Sequence, residues 1–310
     1  MESSEVKRLV IEAGAVAAGI AEAAPVEPWA EELYQRRVAD GSFGTMDYMS
    51  RYQEVRRDPR LLLDGARSII VAAFSYKPDS GWETLNARNT LHWARYALGR
   101  DYHEEIRERL GRVADAITAA TGASCRVTVD TAPMRERYWA MKAGVGFTGI
   151  NSQLIVPGAG SWCLLGEIIT TLPLRADEPC SLSCDGCMRC VHACPGGALD
   201  GCGGLDARRC MSYLTIESKV WEEEIKLRGG RIYGCDVCQE VCPHNAGAPA
   251  SRIEAFSPRQ SIMSLTRDDI LTMEQPEFSR ILTHSAIKRA KLAGLQRNAR
   301  ATDPEETQPE

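Results

Sequence analysis

Nine cysteines between Cys184 and Cys242 constrain this chain more than any other feature of its sequence. The run Cys184-x2-Cys187-x2-Cys190-x3-Cys194-Pro195 has the spacing with which three thiolates wrap one face of a [4Fe–4S] cube while the fourth points away. A second copy, Cys235-x2-Cys238-x3-Cys242-Pro243, lacks its own leading cysteine, and Cys210 is the natural substitute. Cys202 is the alternative, but it sits among glycines (GCGG). The last cysteine of each run ligates the other cluster. One cluster then takes Cys184, Cys187, Cys190 and Cys242, and the other takes Cys194, Cys210, Cys235 and Cys238. Paired Cys-x2-Cys knuckles also suit tetrahedral zinc, yet the tripled spacing, trailing proline and crossed duplication favour iron and sulfur.

The remaining cysteines, Cys125, Cys163 and Cys180, read as buried or incidental thiols. The stretch from Met1 to Leu9 mixes acids and bases and holds neither an apolar signal nor a twin arginine, and no apolar run reaches the ~20 residues that a membrane span needs. A cytoplasmic protein is expected, where twelve cysteines point to metal and not to disulfides. Net charge is 37 − 42 = −5, so no global basic field advertises a nucleic-acid partner, although a local patch could serve.

At 310 residues there is room for a large domain and a smaller one. Ser3 or Ser4 is placed to cap a helix ending near Gly14. Pro28 opens a second amphipathic segment, and a third runs from about Met46 to Arg57. Ser68–Tyr76 is continuously apolar, as in a buried central strand. A long helix over Asp101–Thr121, a strand at Cys125–Val129 and a short helix at Met134–Ala143 follow. Gln153–Pro157 and Trp162–Leu172, joined by PGAG, suggest a hairpin. The expected architecture is an α/β fold, an α+β sandwich over residues 1–175. A bacterial-ferredoxin-like 2[4Fe–4S] domain then occupies 176–250, and 251–310 form a helical segment with a disordered acidic tail. Gly144-Val-Gly146-Phe-Thr-Gly149 satisfies the dinucleotide pattern, but it follows a helix and precedes a strand, the reverse of that motif's context.

Longer stretches narrow the function. Arg95-Tyr-Ala-Leu-Gly-Arg-Asp-Tyr-His103, Asp130-Thr-Ala-Pro-Met-Arg-Glu-Arg137 and Ala143-Gly-Val-Gly-Phe-Thr-Gly-Ile-Asn151 resemble the epoxyqueuosine reductase family. So do Cys210-Met-Ser-Tyr-Leu-Thr-Ile-Glu217 and Gly234-Cys-Asp-Val-Cys-Gln-Glu-Val-Cys-Pro243. The resemblance implies a cobalamin-dependent reductase that removes the epoxide oxygen of epoxyqueuosine in the tRNA anticodon loop. It also implies a nitroreductase-like cobalamin-binding domain similar to that of reductive dehalogenases. Carried over, Asp130 is the proton donor, and Arg57, Leu154, Glu217, Asp236 and Val237 lie against the corrin. The segment around Lys219 faces tRNA, and an external low-potential donor feeds a monomer.

Two features depart from the family pattern: Ile150 stands where the family usually has lysine, and the chain ends soon after Arg300 without the helical repeats of some members. The missing lysine charge bears on how the corrin or a phosphate is anchored. Asp101-Tyr-His103 resembles the start of the Asp-x-His-x-x-Gly motif that gives cobalt a histidine, but Ile106 takes the glycine position. His103 is therefore expected to be a surface or packing histidine. A donor at neutral pH needs a raised pKa, which burial beside a corrin would give Asp130.

Lys288, Arg289, Lys291, Arg297 and Arg300 form a candidate phosphate-binding stripe, and Lys226, Arg228 and Arg231 form a second patch. Trp221 is a candidate for stacking a splayed base, whereas Tyr233 reads as core. The rival readings are a dehalogenase-like corrinoid reductase on a small molecule, a plain electron-transfer ferredoxin, and a tRNA-binding protein with structural clusters.

Overall fold

A computed structural model describes residues 1–79, 91–219 and 230–302. Its centre is a four-stranded antiparallel sheet in the order β1 (Ala17–Glu22), β2 (Ser68–Ser75), β7 (Cys163–Thr170), β4 (Cys125–Thr128). All eight residues of β2 are buried, as its unbroken apolar run requires of a strand covered on both faces. One face, with Ile70, Ala72 and Phe74, packs on α1 (Ser3–Glu12) and on α4 (Tyr102–Thr121). The other, with Ile69, Val71 and Ala73, packs on α5 (Glu136–Lys142) through Trp139 and Ala140. The fold is thus the expected mixed sandwich.

Helix α4 buries Ile106, Leu110, Val113 and Ile117, a spacing that lays one apolar stripe on the sheet. Asp101 caps it by accepting from the His103 amide, and Gly122, at φ 72°, ends it. At α1 the expected serine cap is absent. Glu2 holds the cap position without a side-chain bond, and Ser3 instead donates to the Arg175 carbonyl.

The expected helix from Met46 to Arg57 is broken in two. A 3-10 turn, Asp47–Met49, and the short α3, Gln53–Arg57, are separated by Tyr52 in the left-handed region at φ 53°. The expected hairpin does not form either. β6 (Leu154–Ile155) pairs with β5 (Phe147–Thr148), while β7 enters the main sheet, and only a single Val156–Gly160 bridge closes the PGAG turn. Gly146 permits the β5–β6 approach, because a side chain there would meet the Ile155 carbonyl at 2.3 Å.

Short helices at Arg189–Ala193 and Val237–Glu240 carry the middle of each cysteine run and pack on each other. Contacts cross the sequence boundaries near 175 and 250. β3 (His92–Trp93) pairs in parallel with β8 (Arg231–Tyr233), and Leu98 shares a core with Ile262, Leu282 and Leu295 of the C-terminal helices. A buried hydrogen-bonded group also joins sheet to cysteine region. Ser161 Oγ donates to Gln239 Oε1 at 3.0 Å, Asn245 Nδ2 donates to Ser161 Oγ at 2.9 Å, and Gln239 pairs with the Tyr76 hydroxyl at 3.2 Å. Among the described residues no helix is long and apolar enough to cross a membrane.

Candidate functional site

The cysteines fall into two quartets around two separate cavities. Cys184, Cys187, Cys190 and Cys242 line a small one of about 40 Å³ together with Ile150, Ile155 and His244. Cys194, Cys210, Cys235 and Cys238 line part of a larger one of about 280 Å³. Backbone amides donate to sulfur in both: Ile150 N–H to Cys184 Sγ at 3.4 Å and Ala198 N–H to Cys194 Sγ at 3.3 Å. Four sulfurs and amide donors around each cavity suit an iron–sulfur cluster. Among the described residues no three His, Cys, Asp or Glu side chains converge on a single ion.

The distant Cys210 reaches its quartet through a close approach. Gly196, just after Cys194-Pro195, passes so near Arg209 that a side chain on it would meet the Arg209 carbonyl at 1.8 Å. Cys202 is exposed and lines neither cavity. Burial pushes the Cys235 thiol up to about 11 and raises that of Cys210. Cys163, which the sequence leaves as incidental, lines the large cavity, where burial lifts its thiol to about 12 and keeps it protonated.

The rest of the large cavity is a broad space of mixed apolar and polar lining. Tyr76, Tyr96, Tyr102, Leu154, Leu164 and Leu165 face it. Asn151, Gln153, Ser212 and Asp236 supply its polar edge. An extended redox group fits such a lining beside four thiolates. Asp236 is buried and accepts from the Arg95 amide at 2.8 Å; burial raises its carboxyl to about 6 against the pull of Arg95.

Asp130 lines the same cavity. It follows β4, adopts φ 48°, and is locked there by its own amide, which donates to Glu136 Oε1 at 2.6 Å. Its side chain, 55% exposed, is open to whatever occupies the cavity. His103 Nε2 lies 3.0 Å from Asp130 Oδ2, and His103 Nδ1 lies 2.7 Å from Asp101 Oδ1. The histidine expected at the surface or in packing is therefore the middle of an Asp101–His103–Asp130 chain.

The groups that the protein itself places around Asp130 act in the opposite sense to a raised carboxyl. Burial raises its carboxyl, but the hydrogen bond and charge of His103, helped by Tyr102 and Arg137, outweigh that and lower it. For His103, burial disfavours the cation, but bonds to both aspartates dominate and raise it to about 9. At neutral pH the mobile proton sits on the imidazole, hydrogen-bonded to an ionised Asp130.

The other carried-over residues are placed as follows. Leu154 and Asp236 line the large cavity, and Val237 opens the short helix beside Asp236. Arg57 is exposed at the end of α3, and its carbonyl accepts from the Val26 amide. Glu217 takes two bonds of 2.9 Å from Arg289, whose guanidinium also lies 5.5 Å from the Tyr48 ring. Lys219 is exposed and pairs with Asp47 at 3.3 Å.

Ile150 lines the small cavity, beside the first quartet. In the C-terminal stripe, Lys288, Lys291 and Arg300 are exposed, but Arg297 is turned inward onto the Ser218 and Leu214 carbonyls. Tyr233 is core, at 1% exposure. Lys226, Arg228, Trp221 and the acidic tail from Asp303 lie outside the described residues, whereas Arg231 begins β8.

Comparison with known proteins agrees with this geometry. Residues 56–131 match the family model described as Epoxyqueuosine reductase QueG, DUF1730, and residues 183–245 match that of a 4Fe-4S double cluster binding domain. An epoxyqueuosine reductase of Gloeobacter violaceus is 40% identical over 292 residues, covering 91% of this chain and 90% of the relative. The crystal structure of an epoxyqueuosine reductase with an epoxyqueuosine-modified tRNA-Tyr stem loop is similar at TM-score 0.82 and 28% identity, covering 96% of this chain and 79% of that one. A structure of the Bacillus subtilis epoxyqueuosine reductase, with its catalytic aspartate loop swung out of the active site, matches at TM-score 0.83 and 28% identity over the same shares. The chain belongs to the epoxyqueuosine reductase family.

Proposed function

We propose that this protein reduces epoxyqueuosine to queuosine in the tRNA anticodon loop, using two [4Fe–4S] clusters and cobalamin. One observation carries the reading. A single cavity is lined by four cysteines and by Asp130, to which His103 is hydrogen-bonded, so electrons and a proton meet in the same space. Removing the epoxide oxygen as water consumes two electrons and two protons and leaves a carbon–carbon double bond.

Leu154 and Asp236, with Val237 beside them, would hold the corrin, and the Cys194 quartet would hold the inner cluster. Bound cobalamin supplies a low-potential metal centre that accepts electrons singly from a cluster and delivers a pair to carbon. Asp130 orients the departing oxygen and passes it the proton that His103 stores. The Cys184 quartet, whose Cys187 is exposed, would hold the outer cluster, which would supply the entry point for electrons from an external low-potential donor. Arg57 and Glu217 are assigned to the corrin side on the resemblance alone. Lys219 and the exposed Lys288, Lys291 and Arg300 contact tRNA phosphates, and the base is extruded to reach the cavity at a cost of a few kcal/mol. The protein works in the cytoplasm as a monomer.

The test is metal content followed by turnover on an epoxyqueuosine-bearing stem loop after anaerobic reconstitution. About eight iron atoms and one cobalt per chain, with queuosine formed, are expected. Iron without cobalt would move the electron-transfer reading to the front, and both cofactors without turnover would favour a tRNA-binding role.

A further inference from the structure

The reduction consumes two protons, and the His103–Asp130 pair holds only one that can leave. Glu136, at the head of α5, lines the same cavity and accepts the Asp130 amide at 2.6 Å. A second carboxyl lies behind it. Glu167 on β7 stands opposite Val71 on β2 and Thr128 on β4. Cross-strand partners share a face, and Val71 belongs to the core under α5. Glu167 therefore points toward the helix that Glu136 begins.

The Glu167 residue is 0% exposed. Thr128 Oγ1 donates to its Oε2 at 2.9 Å, while its Oε1 has no hydrogen-bond partner. A buried carboxylate with one hydroxyl donor and a bare oxygen is costly, whereas the neutral acid is not. Its other neighbours on this face, Val71, Leu165 and Ile169, are apolar, so a glutamic acid here is unexplained by packing.

We propose that Glu167 and Glu136 form an internal proton store that supplies the second proton of the reduction, Glu136 delivering it to the cavity and Glu167 refilling Glu136. The inference rests on the function proposed above. The first proton, from the His103–Asp130 pair, reaches the epoxide oxygen as one carbon–oxygen bond opens. The second, from Glu136, lets that oxygen leave as water as the other bond breaks and the double bond forms. The two electrons come from the reduced clusters, and both arms reload from solvent.

The surroundings favour this order. Burial and then the Glu136 charge push Glu167 well above the ordinary carboxyl range, with Thr128 opposing and Asp130 adding to the rise. Burial and the Asp130 charge lift Glu136 to about 7, while Arg137 on α5 and His103 on α4 pull it down. Glu136 thus titrates near neutrality, next to a neighbour that stays protonated.

The test begins with infrared spectra of the substrate-free holoenzyme. A protonated-carboxyl band at about pH 8, lost in Glu167→Gln and displaced in Thr128→Val, is expected. Single turnover of reduced holoenzyme on the stem loop then separates a store from a structural acid. Glu167→Gln should turn over about tenfold more slowly than wild type at about pH 8, approach wild type near pH 6, and bind the stem loop equally well. Absence of the band in wild-type protein overturns the proposal even if the variant does not fold, and so does an unchanged pH profile in a folded variant. A wild-type band without wild-type turnover would instead overturn the proposed function and leave the store standing.

Discussion

His103 holds Asp130 through a hydrogen bond of 3.0 Å and, by staying protonated, keeps that carboxyl ionised. The acid of the site is thus a pair and not a lone aspartic acid. Because the His103 pKa is raised to about 9, its proton is held through neutrality and lost as pH rises through 9. Single-turnover rates should fall on that alkaline limb. His103→Gln should lower turnover by about 10²-fold and remove the limb, and Asp130→Asn should lose most turnover while keeping iron and cobalt. A His103→Gln enzyme with wild-type rates and an unchanged limb would take the histidine out of the chemistry.

The same pair has a stability signature. A folded-state pKa raised from 6.5 to about 9 adds stability that is fully present below about 6.5 and fades as pH climbs to 9. With Asp130 55% exposed, solvent screening keeps the effect to about 1 kcal/mol or less. Melting temperature followed from pH 6 to 10 should decline more steeply in wild type than in His103→Gln.

Cys210 and Cys202 are eight residues apart in the chain but differ in placement, since only Cys210 lines the large cavity. Cys210→Ser should lower iron from about eight to about four atoms per chain, and Cys202→Ser should leave it unchanged. Iron assay of the two variants, purified without oxygen, decides between them.

Two positions of the C-terminal helix should behave oppositely. Asn298, 0% exposed, donates to the Thr215 and Ile232 carbonyls at 2.8 and 2.9 Å. Asn298→Ala strands both and should cost about 2–3 kcal/mol in unfolding experiments. Lys288→Ala should leave stability unchanged and weaken stem-loop binding, with the salt dependence shallower by about one ion.

Ile150 offers a test of the first quartet. Its amide donates to Cys184 Sγ and its side chain lines the small cavity. Ile150→Lys should raise the potential of that cluster by on the order of tens of millivolts and leave the other one in place. Redox titration followed by paramagnetic resonance reads both.

What the sequence made legible was what it encodes locally. The cysteine spacings fix each run within about ten residues, so both quartets could be written down before any coordinates, and the apolar run at Ser68 identified a central strand. Pairings between distant segments were not accessible in the same way. PGAG looked like a hairpin turn, but the partner of Leu154 is Thr148, on the other side in sequence. His103 was set aside because Ile106 breaks the cobalt motif, whereas its partner in the fold is Asp130, 27 residues away. Asp130 was expected to be protonated because burial could be anticipated while the neighbouring imidazolium could not. Glu167 carried no signal at all: a single acid in an apolar strand looks like a solvent-facing residue until both neighbouring strands are known.

Gln239 follows Cys238 directly and precedes Cys242 by three residues, so it sits between cysteines of the two quartets. Its side chain is anchored on Tyr76 and Ser161, which flank the same end of the paired central strands β2 and β7. Heat cannot loosen that sheet without pulling on both iron centres. The brown colour of the holoenzyme should therefore fade in step with the loss of its circular dichroism, so that a visible spectrophotometer alone reports whether the protein is folded.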